Sequence, residues 1–237
     1  MVNTLKIKKL DCAPKLGQDI KIPTRHEVLR VLTDLNDQVV NVMFPAGDLI
    51  GLLGEFIATR FRVDVVSAEA NEVEINDISV NAYYDPDLDE RKKIAIELVL
   101  ITNPNSQFIM LDEMIWLTFS NAIADSLAHE LIHMRQHRRR EFEDVTVRHA
   151  TAFNEHPDAQ EYLADPDEID AYAFNIAQEL KVHQNPVQKL NQIKDIKLED
   201  SVNLWAYVQT FDRNPDHPVI KRLLKKVYKN LHNKKGS

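Results

Sequence analysis

The sequence predicts an α+β fold, in which helices flank a small sheet in the middle of the chain. Apolar residues recur at helical spacing near the amino end and toward the carboxyl end, whereas residues 63–111 are rich in Val and Ile. The 237 residues are 44% hydrophobic and can bury a substantial core. We predict an N-terminal helical region 1–62, a core 63–182 and a helical C-terminal extension 183–237, forming one compact unit.

Two helices are predicted before the sheet. Thr24 and Glu27 have the spacing of a capping box, and the apolar residues that follow predict a helix over about residues 25–43. A Pro-Ala-Gly break comes next, and Asp48 is the predicted N-cap of a second helix that ends near residue 62.

The sheet is predicted from three runs rich in β-branched residues, which are 63–67, 72–80 and 92–102. The sequence Asn-Pro-Asn-Ser at 103–106 is a strong turn signal. We therefore expect an antiparallel hairpin between the third run and residues 107–111. Beyond residue 140 the pattern is mainly helical, with helices near 166–181, 199–212 and 218–231.

A helix with a predicted N-cap at Ser120 carries His129-Glu130-Leu131-Ile132-His133. Residues four apart share a helix face, so both imidazoles can reach one Zn²⁺ while Glu130 lies beside its open side. A carboxylate at that place can take a proton from the attacking water. The motif therefore indicates metal-assisted hydrolysis. The alternative is an amphipathic helix with two incidental surface histidines.

A catalytic zinc usually has three protein ligands. His137 is a poor third ligand, because a straight helix would spread the three rings over about 12 Å, and we expect a solvated histidine at the helix end. Glu168 is the better candidate, in the first turn of a helix opened by Asp165 as N-cap and Pro166 as first residue. Glu168 could instead only complete a capping box. Other carboxylates remain open as third ligand: Glu161, Asp165, Asp167 and Asp170.

Residues 92–180 resemble the gluzincin metallopeptidases, particularly small minimal and phage-type peptidases. The resemblance is carried by the strand pair, by the helix with the H-E-x-x-H motif, and by the downstream Glu168-Ile169-Asp170-Ala171. It implies a zincin-like fold, with the small sheet packed on the motif helix, and zinc-dependent hydrolysis of peptide bonds. The residues it assigns are His129, His133 and Glu168 as zinc ligands and Glu130 as general base.

The resemblance also implies that residues 92–102 or 107–111 form the strand that aligns the substrate. Tyr172 stands four positions after the ligand glutamate, where larger gluzincins often have an acidic residue. We predict Tyr172 as the donor that stabilises the oxyanion, because it shares a helix face with Glu168. Tyr162, His149 and His156 are alternatives, and core packing is the alternative for Tyr172 itself. Asp125 could orient an imidazole or be a solvated charge.

Composition restricts the partners. The net charge of −8 argues against general affinity for nucleic acid, and the single cysteine, Cys12, excludes an intrachain disulfide. The sequence has no run of about 18 apolar residues, the length that could span a membrane, and residues 1–10 lack the apolar region of a secretory signal. We expect a cytoplasmic protein, in the host cytoplasm if phage-encoded, with a peptide or protein substrate. The basic run 138–140 and the lysine-rich last helix are expected to be solvated faces.

Two other functions fit the same residues. A non-enzymatic scaffold or virion-type binding protein could keep the metal site for stability, and such a site would be closed by a fourth protein ligand. A hydrolase acting on a non-peptide amide could use the same ligands. The sequence does not identify the substrate or the oligomeric state.

Overall fold

The structure is a computed structural model that describes residues 20–143 and 159–232, and it confirms the α+β class. The helices are α1 Arg25–Leu32, α2 Asn36–Val39, α3 Ala46–Phe61, α4 Pro86–Glu90, α5 Glu113–Arg139, α6 Ala159–Ala164, α7 Pro166–Leu180, α8 Pro186–Asn191, α9 Val202–Thr210 and α10 Pro218–His232. The strands are β1 Met43–Pro45, β2 Asp64–Glu69, β3 Ile78–Tyr84, β4 Ile96–Thr102 and β5 Phe108–Met110. Within these two ranges, each helix is too short or too polar to span a bilayer.

The chain divides into two units, Met1–Arg138 and Arg139–Ser237. One hydrophobic core of the first unit joins buried residues of α1, α3, β3, β4, β5 and α5, and a second core joins α7 to α10. The predicted boundary near residue 62 falls inside the first core and that near residue 182 inside the second. The reason is that the apolar faces of the N-terminal helices are buried together with the sheet.

α1 begins where the capping box predicts. The backbone N–H of Thr24 donates to Glu27 Oε2 at 2.8 Å, and the N–H of Glu27 donates to Thr24 Oγ1 at 3.2 Å. The helical segment is shorter than the predicted 25–43. After α1 the chain continues through a 3₁₀ turn, Thr33–Leu35, into α2, which ends at Val39. Asn41 then takes the left-handed φ of 60°, and its N–H donates to a backbone carbonyl at the end of β5. The backbone therefore leaves the helix to pair with the sheet.

α3 begins at Ala46, two residues before the predicted cap Asp48, which lies in its first turn. A carboxylate there still complements the helix dipole. The helix ends at Phe61, and Arg62 forms the C-cap with a left-handed φ of 54°. Its buried face consists of Leu49, Leu53, Ile57 and Phe61.

Two separate sheets replace the predicted hairpin. β4 is the central strand of one sheet, parallel to β2 and antiparallel to β3, whereas β5 pairs antiparallel with β1. The hairpin prediction is wrong, although the turn exists. The Asn103 side chain accepts from the Asn105 N–H at 2.9 Å and donates to the Val73 carbonyl at 2.7 Å, which attaches the turn to the loop before β3. The edge of β4 that a hairpin needs is taken by β3.

α5 follows β5 directly and is the longest helix of the described chain. It starts at Glu113, not after Ser120, because the Asp112 side chain accepts the Ile115 N–H at 2.7 Å and caps the first turn. Ser120 is buried in the helix interior, so its N-cap prediction is wrong. A buried stripe holds the helix in the first core; it includes Phe119, Ile123, Ala124, Leu127, Leu131 and Met134.

The described part of the second unit contains helices joined by turns, and no strand. α7 begins as predicted, with Asp165 as N-cap and Pro166 as first residue, and α9 and α10 lie close to the predicted segments. α6 and α8 are short helices that the pattern did not predict. α10 packs mainly on α7 and buries Ile220, Leu223 and Val227.

Candidate functional site

α5 carries the H-E-x-x-H motif in its carboxyl-terminal half. The Nε2 atoms of His129 and His133 lie 3.0 Å apart, and the two rings meet edge to face with centroids 4.7 Å apart. Two tetrahedral zinc ligands at about 2.05 Å from the ion have their atoms about 3.3 Å apart. The imidazole pair is therefore within a few tenths of an ångström of the spacing that zinc requires. Glu130 lies next to His129, partly buried.

Gln136 orients one of the two rings. Its Oε1 lies 2.9 Å from Nδ1 of His133, so Nδ1 is the donor in this contact. In the neutral ring the lone pair is then on Nε2, the nitrogen that faces His129. Histidine ligands of metals commonly have such a partner on the second nitrogen. The sequence analysis missed Gln136, although its position three residues after His133 puts it on the same helix face.

Asp125 lies one turn before His129 and is bound to α1. Arg25 donates to both carboxylate oxygens, from Nε at 3.1 Å and from Nη2 at 2.5 Å, and each side chain is at most one-fifth exposed. Burial raises the pKa of the Asp125 carboxyl, although Arg25 and His129 both act to lower it. Asp125 is thus not a solvated charge: it joins the start of α1 to the turn that precedes the histidine pair.

The end of α5 is fixed by a buried ion pair. Arg138 donates from Nε to Asp89 Oδ2 at 2.8 Å and from Nη2 to Asp89 Oδ1 at 2.6 Å. The hydroxyl of Tyr84 also donates to Asp89, at 2.9 Å, and the Tyr84 ring lies against His137 with centroids 5.4 Å apart. The expectation of solvated side chains is therefore wrong for Arg138 and for His137. Both contact groups that lie about 50 residues earlier in the sequence.

Glu168 lies in the first turn of α7, in the second unit, and is only 3% exposed. Helix capping is supplied by Asp165, which accepts the Asp167 N–H at 2.7 Å. Glu168 is instead hydrogen-bonded to the hydroxyl of Tyr162. Burial, and next the Glu168 carboxylate, raise the pKa of Tyr162 far above its usual value, so that this hydroxyl stays protonated and can donate.

The competing carboxylates of α6 and α7 have other environments. Asp167 pairs with Arg140 at 2.6 Å, and Asp170 lies 2.6 Å from the amine of Lys226. Glu161 is exposed. Of the five candidates for a third ligand, Glu168 is the only one that is buried.

Tyr172, the predicted oxyanion donor, packs within the second unit. Its ring meets the Tyr207 ring edge to face, with centroids 5.4 Å apart, and it is hydrogen-bonded to Tyr162. The alternatives His149 and His156 lie outside the described residues.

The strands proposed to align a substrate differ in what they can offer. β4 is paired on both edges and cannot accept a further strand. β5 ends where α5 begins, and at 1.5 Å per residue the helix places His129 about 24 Å from Glu113. β3 is an edge strand, and its last residue, Tyr84, contacts His137, one turn beyond the motif.

Comparison of the chain with protein-family models, with curated proteins and with solved structures gives no match.

Proposed function

We propose that this protein is a zinc-dependent metallopeptidase of the gluzincin type, with a zincin-like first unit. The observation that carries the proposal is the pair of facing imidazole nitrogens 3.0 Å apart on α5, directly beside Glu130. His129, His133 and Glu168 each offer one ligand atom of a kind that zinc accepts. In this proposal Glu168 of α7 is the third ligand.

Each residue has a separate task in the proposed reaction. Zinc bound to the three ligands would supply a Lewis acid that polarises the scissile carbonyl and lowers the pKa of water. Glu130 accepts the proton of the attacking water and transfers it to the leaving amine. Tyr162 orients the Glu168 carboxylate through their hydrogen bond. Tyr172 donates to the oxyanion once its hydroxyl leaves the hydrogen bond with Tyr162.

We assign the alignment of the peptide to β3 instead of to β4 or β5. Among the described residues β3 pairs on one edge only, and its end at Tyr84 contacts the helix one turn after His133. An extended peptide can add to such an edge through backbone hydrogen bonds. The exposed Tyr83, next to that end, is then the side chain expected to influence which peptides are cleaved.

Elemental analysis of the purified chain tests the ligand set. We expect about one zinc per chain in the wild type and none in His129→Ala or Glu168→Ala. His137→Ala is the matched control, because His137 lies one turn after His133 on the same helix but packs on Tyr84. Zinc retained in Glu168→Ala would move the third ligand elsewhere. Absence of zinc after reconstitution of the wild type would overturn the proposal.

Glu130→Gln tests the reaction. The amide cannot accept a proton, so hydrolysis of a mixed peptide library should fall by about 10²-fold or more while the zinc content stays at the wild-type value. If the metal site is only structural, the wild type and Glu130→Gln will bind the same amount of zinc, and the wild type will hydrolyse peptides no faster than the variant.

A further inference from the structure

A cluster of exposed apolar side chains lies on the first unit, on β1, β5 and the start of α5. We call it the methionine surface; its members are Met43 (65% exposed), Phe108 (50%), Met110 (46%), Met114 (70%) and Leu117 (47%). Met43 is the register partner of Met110. The next pair along the two strands, Phe44 and Ile109, faces the core. Single exposed apolar residues are ordinary, but a cluster of this kind marks an interaction site.

A groove continues this surface along α5. It has a volume of about 560 Å³ and lies between α1, α2 and the first two turns of α5. Apolar walls come from Leu29, Val40, Trp116 and Leu117, the last of which also belongs to the methionine surface. The indole N–H of Trp116 donates to Asn36 Oδ1 at 2.6 Å, which fixes the ring in the wall. The groove can therefore accept an apolar side chain.

The charged side chains that line the groove are both acidic. Residues 31–59 and 94–134, which contain β1, β5, α2 and most of α3 and α5, include nine acidic residues and no lysine or arginine. Arg30 and Arg60 stand just outside these ranges, and Arg60 pairs with Asp34 at 3.8 Å. Asp37 and Glu113 line the groove itself and are exposed. A cationic partner would therefore be attracted to this face, and an acidic one repelled.

We propose that the methionine surface and its groove bind a cationic amphipathic peptide segment of another protein. Its apolar side chains lie on the methionines and enter the groove beside Trp116, and its Lys or Arg side chains meet the carboxylates of Asp37 and Glu113. Methionine is unbranched and polarisable, and it adapts to partners of different shape. A partner segment that forms a helix has its apolar side chains along one face, and such a face fits a groove that runs beside α5. This site is separate from the proposed zinc ligands.

The test is binding of a labelled synthetic peptide of about 14 residues, made of leucine and lysine at helical spacing, measured by fluorescence anisotropy. EDTA is included, so that the proposed peptidase activity cannot consume the probe. We expect saturable binding that weakens as NaCl rises from about 50 to 500 mM. A peptide with its lysines replaced by glutamate, or its leucines by serine, should not bind.

The variant Met43→Ser/Met110→Ser should weaken binding about tenfold or more, and both side chains are exposed, so the fold should be retained. Ile75→Ser is the matched control: Ile75 is 60% exposed and has Glu74 and Asp77 close by in the sequence, but it lies outside this surface. Equal binding by both variants, or none by the wild type, would overturn the proposal. Sedimentation gives the remaining outcome. If the wild type binds no peptide but self-associates, and the double serine variant does not self-associate, the surface binds a second copy instead.

Discussion

Removing the Asp89 carboxylate should destabilise the first unit strongly. Asp89 and Arg138 form a bidentate ion pair with side chains only 2% and 10% exposed, and the Tyr84 hydroxyl donates to the same carboxylate. In Asp89→Ala, the guanidinium at the end of α5 would stay buried without the carboxylate that offsets its charge. The free energy lost then includes the cost of a buried charge without its bidentate partner, which exceeds the net contribution of the pair.

The expected magnitude follows from this burial. Breaking a buried ion pair from one side costs about 3–5 kcal/mol. Tyr84→Phe removes one hydrogen bond to a charged group and should cost about 1.5–3 kcal/mol. With a urea m-value of about 2 kcal/mol per M, Asp89→Ala should lower the unfolding midpoint by about 1.5–2.5 M.

The assay uses the two tryptophans, one in each unit. In a Trp205→Phe background the fluorescence reports only on Trp116, which is 6% exposed in the first unit. Asp34→Ala is the control, because Asp34 lies 3.8 Å from Arg60 and is 42% exposed, and such a pair contributes about 0–1 kcal/mol. If Asp89→Ala lowers the midpoint no more than Asp34→Ala does, the buried pair does not stabilise the end of α5.

Two further predictions concern single carboxylates. Partial burial acts to raise the pKa of Glu27, but hydrogen bonds of a lysine and of the capping box outweigh it, so the pKa is lowered; its contribution is present above the unfolded pKa and is lost as pH falls through the folded value. Glu27→Gln should therefore cost about 1 kcal/mol near pH 7 and progressively less below about pH 4, in urea titrations across pH. Glu179, which is 6% exposed, accepts hydrogen bonds from Ser201 and from Asn203 at the start of α9. Glu179→Ala should lower the unfolding free energy of the second unit by about 2–3 kcal/mol. The fluorescence of Trp205 measures this, and an unchanged urea midpoint would contradict it.

Local signals predicted the helix starts that depend on neighbouring residues. The capping box at Thr24 and the Asp165-Pro166 start of α7 are both present, because a cap is formed by residues two or three positions apart. The start of α5 was missed because two residues nearby are both good caps. Asp112 caps it, but Ser120 is also a good capping residue, and the sequence alone does not tell which of the two lies at the end of the apolar stripe.

Partners distant in sequence could not be predicted in this way. The pairing of β4 with β3, and of β5 with β1, depends on which edges the rest of the fold leaves open, and a turn signal at 103–106 does not contain that information. Arg138 was expected in solvent, because its charged neighbours suggest a surface. Its burial depends on Asp89, 49 residues earlier. The tyrosine contact of Glu168 is closer in sequence but belongs to another helix, α6.

The candidate site shows the same division between local and distant information. The facing histidines follow from helix periodicity, and Gln136 could have been found from it. The ion pairs that hold the histidine half of α5, to Arg25 on one side and Asp89 on the other, join it to groups 100 and 49 residues away. A pair of facing imidazoles can thus be read from one helix, whereas the ion pairs that hold that part of the helix depend on distant residues of the unit.

The two halves of α5 have different chemical surroundings, and this separates the two proposals physically. Leu117 of the methionine surface and His129 are 12 residues apart, which is about 18 Å along the helix. The amino-terminal half has exposed apolar groups and carboxylates, whereas the carboxyl-terminal half has imidazoles held by buried ion pairs. Serine at Met43 and Met110 should therefore leave zinc content unchanged, and alanine at His129 should leave peptide binding unchanged. A loss of both functions in either variant would mean that the substitution acts through the stability of α5.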